Sequence, residues 1–189
     1  MRVIFLGDSL TRRFSWAEAL PGFVVRNFGV DGDTTADVLG RLSLVLAAKP
    51  DVVFLQIGIN DYLGMEAWMG ESPPSAGKMS VIVRNQREIW QKLQNGLPRM
   101  KLHVCSLLPT AFPFDDSGRT NEGIRETNAR LERAAREAGL PFICLYSRLA
   151  DADGRLADEY SQDGVHLTPA AYAVWLGAIR PFLDSFHPP

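Results

Sequence analysis

The chain has 189 residues, 46 % hydrophobic and 22 % charged, with 16 glycines and 12 prolines spread along it, a composition that excludes intrinsic disorder and collagen-like repeats. A soluble chain of this length buries about 70 to 75 % of its unfolded surface, so a single domain over residues 1–189 is expected. Twenty Lys and Arg against 22 Asp and Glu give a formal net charge of −2, which supplies no basic field for phosphate backbones and removes nucleic acid from the expected partners.

The apolar runs at 52–59 and 171–179 fall well short of the roughly 20 residues that span a bilayer, so no membrane span is expected. Asp8 interrupts the apolar start too early for a signal-peptide core, and the sequence reads as cytoplasmic. Cys105 and Cys144 lie far apart without a CxxC partner, which argues against a disulfide framework or a zinc knuckle and for two buried free thiols.

In chain order, five short apolar segments read as strands: 3–7, 24–28, 52–57, 102–107 and 142–146. Most are nearly continuous rather than alternating, the pattern of strands covered on both faces. Between them lie helical spacings: Val38, Leu42, Val45 and Leu46, then Ile82, Gln86, Ile89 and Leu93, then Ile124, Asn128, Leu131 and Ala135. The charged run 119–137 reads as the solvated face of a helix. A closing helix starts at Pro169 after Thr168, with Tyr172, Trp175, Leu176, Ile179 and Leu183 on one stripe. Alternating strands and helices predict an α/β fold, three-layer α/β/α, with a flavodoxin-like five-stranded parallel sheet in the order 2-1-3-4-5. Two long loops are expected, at 62–78 after the third strand and 109–121 after the fourth, a length that usually marks function or mobility.

Open α/β sheets bind ligands outside the carboxyl ends of their strands, which is where the chemistry-bearing residues fall. Gly7-Asp8-Ser9-Leu10 follows the first strand, Asn27-x-Gly29-x-x-Gly32 the second, Gly58-x-Asn60-Asp61 the third, and Asp163-x-x-His166 comes shortly after the fifth. Ser9, taken alone, reads first as a helix N-cap. As a nucleophile it needs a base, and His166 three residues after Asp163 is placed for a carboxylate to hold one ring nitrogen while the other faces the serine. Asp163 and His166 in isolation also fit a capping turn. Acyl transfer needs donors for a developing oxyanion, which the N–H groups of Gly32 and Ser9 and the amide of Asn60 could supply. Because only neutral imidazole accepts a proton, kcat/KM is expected to rise with pH through the ordinary histidine range, about 6 to 7.

These four blocks, in this order, resemble those of the SGNH hydrolases, the GDSL esterase/lipase family, over the span from Ser9 to His166. The resemblance implies a triad of Ser9, His166 and Asp163, an oxyanion hole of Ser9, Gly32 and Asn60, no cofactor and no metal, and a small-molecule acyl ester as substrate. Short-chain or acetyl esters are favoured, with lysophospholipase or thioesterase activity on the same triad as the alternative. Tyr62, Trp68 and Phe112 are candidate substrate-binding residues from the two loops. Arg12-Arg13 departs from the small residues that family members often carry after the serine block, and puts substrate preference in doubt. The oligomeric state is not readable.

Two rival readings exist. Asp31-Gly32-Asp33-Thr34-Thr35 has the D-x-D-x-T order of Mg²⁺-dependent phosphatases, with Asp31 as nucleophile and Asp33 beside it, but leaves Asp163 and His166 idle. A catalytically silent binding module on the same fold is the other. No G-x-S-x-G elbow occurs, and Gly77-Lys78 lacks the remainder of a P-loop.

Overall fold

The computed structural model describes residues 1–68, 76–111 and 119–185. Its sheet contains β1 (Arg2–Gly7), β2 (Val24–Gly29), β3 (Val52–Gln56), β4 (Lys101–Cys105) and β5 (Phe142–Ile143), all parallel, in the order β2-β1-β3-β4-β5. The flanking helices make this the three-layer arrangement that the sequence predicts. β1, β3 and β4 are buried almost throughout, as their continuous apolar runs require. β2 is the exception: it lies at the edge of the sheet, is half-buried to exposed, and leaves Val24 on the surface.

Helices α1 (Ser9–Arg12) and α2 (Trp16–Ala19) follow β1, and α9 (Pro169–Asp184) closes the same layer. Aromatic rings fill the space between this layer and the sheet. Phe5 of β1 stacks on Trp16 with centroids 3.9 Å apart, and Trp16 meets Trp175 of α9 edge-on at 5.2 Å. Full burial of a side chain the size of Phe5 contributes on the order of 3 kcal/mol before entropy is charged against it. Helices α3 (Thr35–Gly40), α4 (Leu42–Ala48), α6 (Ala76–Gly96) and α7 (Arg119–Glu137) pack on one another in the other layer. The expected stripes are the buried ones: Ile82, Gln86, Ile89 and Leu93 on α6, and Ile124, Asn128, Leu131 and Ala135 on α7, whose charged residues from Glu122 to Glu137 are exposed.

Four expectations are corrected. The segment 38–46 forms two helices, because the backbone leaves helical geometry at Arg41 (φ −112°, ψ 12°). Much of the supposed loop after β3 is helical: α5 spans Ile59–Trp68, kinked at Gly64, and α6 begins at Ala76. The fifth strand ends after Ile143, since the N–H groups of Leu145 and Tyr146 donate to the Ser106 hydroxyl at 2.9 and 3.0 Å instead of continuing a ladder, and α8 (Tyr146–Leu149) follows. Consequently Cys144 lies past the strand and is exposed, while Cys105 is buried as expected. No helix among the described residues is long and apolar enough to cross a membrane.

Candidate active site

The nucleophile turn is built at the end of β1. Asp8 rather than Ser9 is the helix cap: its Oδ1 accepts the Leu10 N–H at 2.9 Å, which leaves Ser9 as the first helical residue with its hydroxyl uncommitted to capping. Four residues of helix cannot hold themselves in water, so α1 depends on neighbours for its shape. Tyr172 of α9 donates its hydroxyl to the Leu10 carbonyl at 2.8 Å, and the Trp16 indole donates to the Thr11 carbonyl at 2.7 Å. The Asn27 amide reaches the carbonyls of Thr11, Arg12 and Phe14 at 3.0 to 3.1 Å, while its oxygen accepts the Gly29 N–H at 2.9 Å. Gly29 itself sits where any Cβ would come within 2.3 Å of the Arg12 nitrogen, so the second block lets α1 lie directly on β2. Asp8 is fully buried and its Oδ2 finds no partner among the described residues. Burial pushes its carboxyl up to about 7, with the negative charges of Asp33 and Asp61 adding to the rise and the Leu10 N–H opposing it.

The base arrives on the turn before α9. Asp163 Oδ1 accepts the backbone N–H of His166 at 2.7 Å and that of Val165 at 3.0 Å, and its Oδ2 lies 2.6 Å from His166 Nδ1. Ser161 braces this turn, accepting the Gly164 N–H at 2.9 Å and donating to the His166 carbonyl at 2.8 Å. Partial burial raises the Asp163 carboxyl, but the bonds from the imidazole and the two N–H groups outweigh it and hold the group well below the usual carboxylate range. His166 Nε2 lies 3.2 Å from Ser9 Oγ. Residues 157 positions apart in sequence therefore meet in one Ser9–His166–Asp163 chain, with the ring oriented by Asp163 at one nitrogen and facing the hydroxyl at the other.

Gly32 occupies the loop after β2 with φ +80°, a left-handed conformation that any larger residue would adopt under strain, and the space where its Cβ would stand is open. Asn60, at the start of α5, donates from Nδ2 to the Asp33 carbonyl at 2.9 Å, so the Gly32 loop and the third block are joined directly. Asp61 accepts from the Thr35 N–H at 2.7 Å and from the Thr35 hydroxyl, and Asn85 of α6 donates to the same hydroxyl at 2.9 Å. Burial raises the Asp61 carboxyl above its usual range, and the Thr35 donors partly offset this. Arg41, which nothing in the local sequence marks, ties the strand ends together. Its Nε meets Asp33 Oδ2 at 2.6 Å, and its Nη2 donates to the carbonyls of Phe28 at 2.9 Å and Gly7 at 3.1 Å.

Of the loop candidates, the structure describes the side chain of Tyr62 alone. Tyr62 is 3 % exposed and belongs to the apolar core, its ring lying where a Cβ on Gly123 of α7 would stand. The Trp68 side chain and Phe112 lie outside the described residues. The two carboxylates of the phosphatase reading are each engaged by an arginine, Asp31 by Arg12 at 3.4 Å and Asp33 by Arg41.

Comparison with known proteins bears on the family and the fold. The GDSL-like lipase/acylhydrolase family matches residues 5–174. Platelet-activating factor acetylhydrolase IB subunit alpha2 of Homo sapiens is 27 % identical over 183 residues, covering 90 % of this chain and 71 % of that protein. The fold superposes on the crystal structure of a GDSL-like lipase from Bacteroides thetaiotaomicron with a TM-score of 0.77 at 24 % identity, covering 97 % of this chain and 88 % of the other. An acetyl xylan esterase from Geobacillus stearothermophilus gives a TM-score of 0.72 at 19 % identity, covering 95 % and 93 % of the two chains. With the match running across all four blocks, the chain belongs to the GDSL-like lipase/acylhydrolase family.

Proposed function

We propose that the protein is a serine ester hydrolase that removes short acyl groups, acetyl above all, through an acyl-enzyme on Ser9. The observation that carries this reading is the continuous Ser9–His166–Asp163 chain, with 3.2 Å at the serine and 2.6 Å at the aspartate. Ser9 Oγ attacks the acyl carbonyl as His166 Nε2 takes its proton, and Asp163 holds the imidazolium that forms. The tetrahedral oxyanion is received by the N–H groups of Ser9 and Gly32 and by the Asn60 hydrogen that is not spent on Asp33. The imidazolium returns its proton to the departing alkoxide, and water then repeats the sequence on the acyl-enzyme to release the acid. The preference for acetyl is supported by the names of matched proteins, an acetylhydrolase and an acetyl xylan esterase.

Hydrolysis of p-nitrophenyl esters from acetate to palmitate, by the native protein and by Ser9→Ala, with and without EDTA, tests the reading. The expected result is EDTA-insensitive activity that is highest on the acetate and absent in Ser9→Ala. A maximum on long chains would move the assignment toward lipid or thioester substrates. Activity that survives in Ser9→Ala would overturn the triad.

A further inference from the structure

The two arginines after the serine block have different fates. Arg12 is engaged by Asp31 at 3.4 Å. Arg13, at the C-terminus of α1, donates its backbone N–H to the Ser9 carbonyl at 3.0 Å, while its exposed side chain has no ion-pair partner among the described residues. It lines a groove of about 350 Å³ whose other walls include Gln162, Asp163 and His166. Two of those walls carry charge: Asp163, already committed to the imidazole and two N–H groups, and Arg13, whose guanidinium has no ion-pair partner among the described residues.

We infer that this groove receives the leaving group of the ester and that Arg13 selects leaving groups bearing an anion, a carboxylate or a phosphate. The inference rests on the serine-esterase reading and on the direction that reading imposes. With the oxyanion drawn toward Gly32 and Asn60, the departing oxygen must lie against His166 Nε2, because that atom returns the proton. The rest of the alcohol then continues along the histidine side of Ser9, where the groove wall is His166 itself. An anion there meets a planar guanidinium able to bind it through two N–H bonds, with the Gln162 amide as a neutral donor beside it. Because Arg13 closes the helical turn that begins at Ser9, its backbone is fixed relative to the nucleophile and needs no rearrangement on binding.

The test compares two acetyl esters, 4-acetoxyphenylacetate and 4-acetoxyphenylacetamide, which share the acyl group, release phenols of similar acidity and differ in charge. The expected native ratio of kcat/KM favours the anionic ester about fivefold at low salt, the upper end of what an exposed ion pair supplies, and shrinks as salt screens it. Arg13→Gln should bring the two esters within twofold of each other, and Arg13→Glu should reverse the preference, while Arg12→Gln should keep the native ratio. Equal kcat/KM for both esters in the native protein, or an Arg13→Gln variant that keeps the native ratio, overturns the inference and leaves the esterase reading intact. If neither ester turns over and a fluorophosphonate fails to label Ser9, the esterase reading falls and this inference falls with it.

Discussion

The Tyr172 hydroxyl donates to the Leu10 carbonyl at 2.8 Å, so the helix that begins three residues after His166 holds the turn that begins at Ser9. This bond links the turn that carries Ser9 to the helix behind His166, independently of the bond between Ser9 and His166 themselves. It is buried, and Tyr172 also stacks on Phe14 with centroids 4.4 Å apart.

Tyr172→Phe keeps the ring stack and removes only the hydroxyl, leaving a buried carbonyl without its donor. The expected cost is about 1 to 2 kcal/mol, seen as a Tm lowered by roughly 2 to 8 °C. Because the bond sets the approach of α1 to α9, kcat on an acetyl ester should fall several-fold with KM little changed. A lower Tm with kcat intact would restrict Tyr172 to stability.

Arg41 is the second positioning residue, and it acts on the Gly32 side. Its guanidinium serves one carboxylate and two strand-end carbonyls at once, which a lysine ammonium on a flexible stem cannot reproduce. Arg41→Lys keeps a charge beside Asp33 and should fold, with kcat lowered about tenfold as the Gly32 N–H loses its aim at the oxyanion, less than the loss from deleting an oxyanion donor outright. Arg41→Met strands a nearly buried carboxylate and should be destabilised by about 3 to 5 kcal/mol. The kcat of Arg41→Lys, measured well below its Tm, separates the two roles: a native kcat would show that Arg41 serves the fold alone.

What the sequence reveals and what it hides follows from the range of each interaction. Asp163 and His166 are legible because one carboxylate reaches both the ring and the backbone three residues on, a local geometry. Ser9, Gly32 and Asn60 are legible because strand ends in a parallel sheet converge on one rim. Arg41 is hidden because its partners are carbonyls of β1 and β2, which become neighbours only once the sheet forms. Tyr62 lies two residues from Asn60 in sequence, yet its side chain is buried in the core. Ile59, Tyr62 and Leu63 have the spacing of a buried helical face, and Gly123, near the start of α7, marks the slot that admits the phenol end of Tyr62. The end of β5 is set by the Ser106 hydroxyl, a partner 39 residues away that no local pattern announces.

Two buried titratable groups make stability depend on pH in opposite directions. Asp8 is pushed up to about 7 by burial, so between about pH 4 and 7 the unfolded chain has lost this proton while the folded chain keeps it; stability from this group falls as pH rises through that window, by on the order of 4 kcal/mol in all. His103, on β4 between the rings of Phe54 and Phe182, is pushed down to about 4 by burial, with Lys101 adding to the effect. Between pH 6.5 and 4 the unfolded chain gains a proton there that the folded chain refuses, so stability from His103 falls as pH drops, by at most about 3 kcal/mol. From about pH 4 to 6.5 the two slopes oppose, and each variant should expose the other group. Asp8→Asn keeps the oxygen that accepts the Leu10 N–H and cannot ionise, so its stability should rise with pH over this window and exceed the native value most above pH 7. His103→Phe extends the aromatic stack and should show the reverse, stability that falls steadily from pH 4 to 7. Urea unfolding of the three proteins at unit steps from pH 4 to 8 measures both slopes, and a native-like profile in Asp8→Asn would show that Asp8 is ionised in the folded chain at neutral pH.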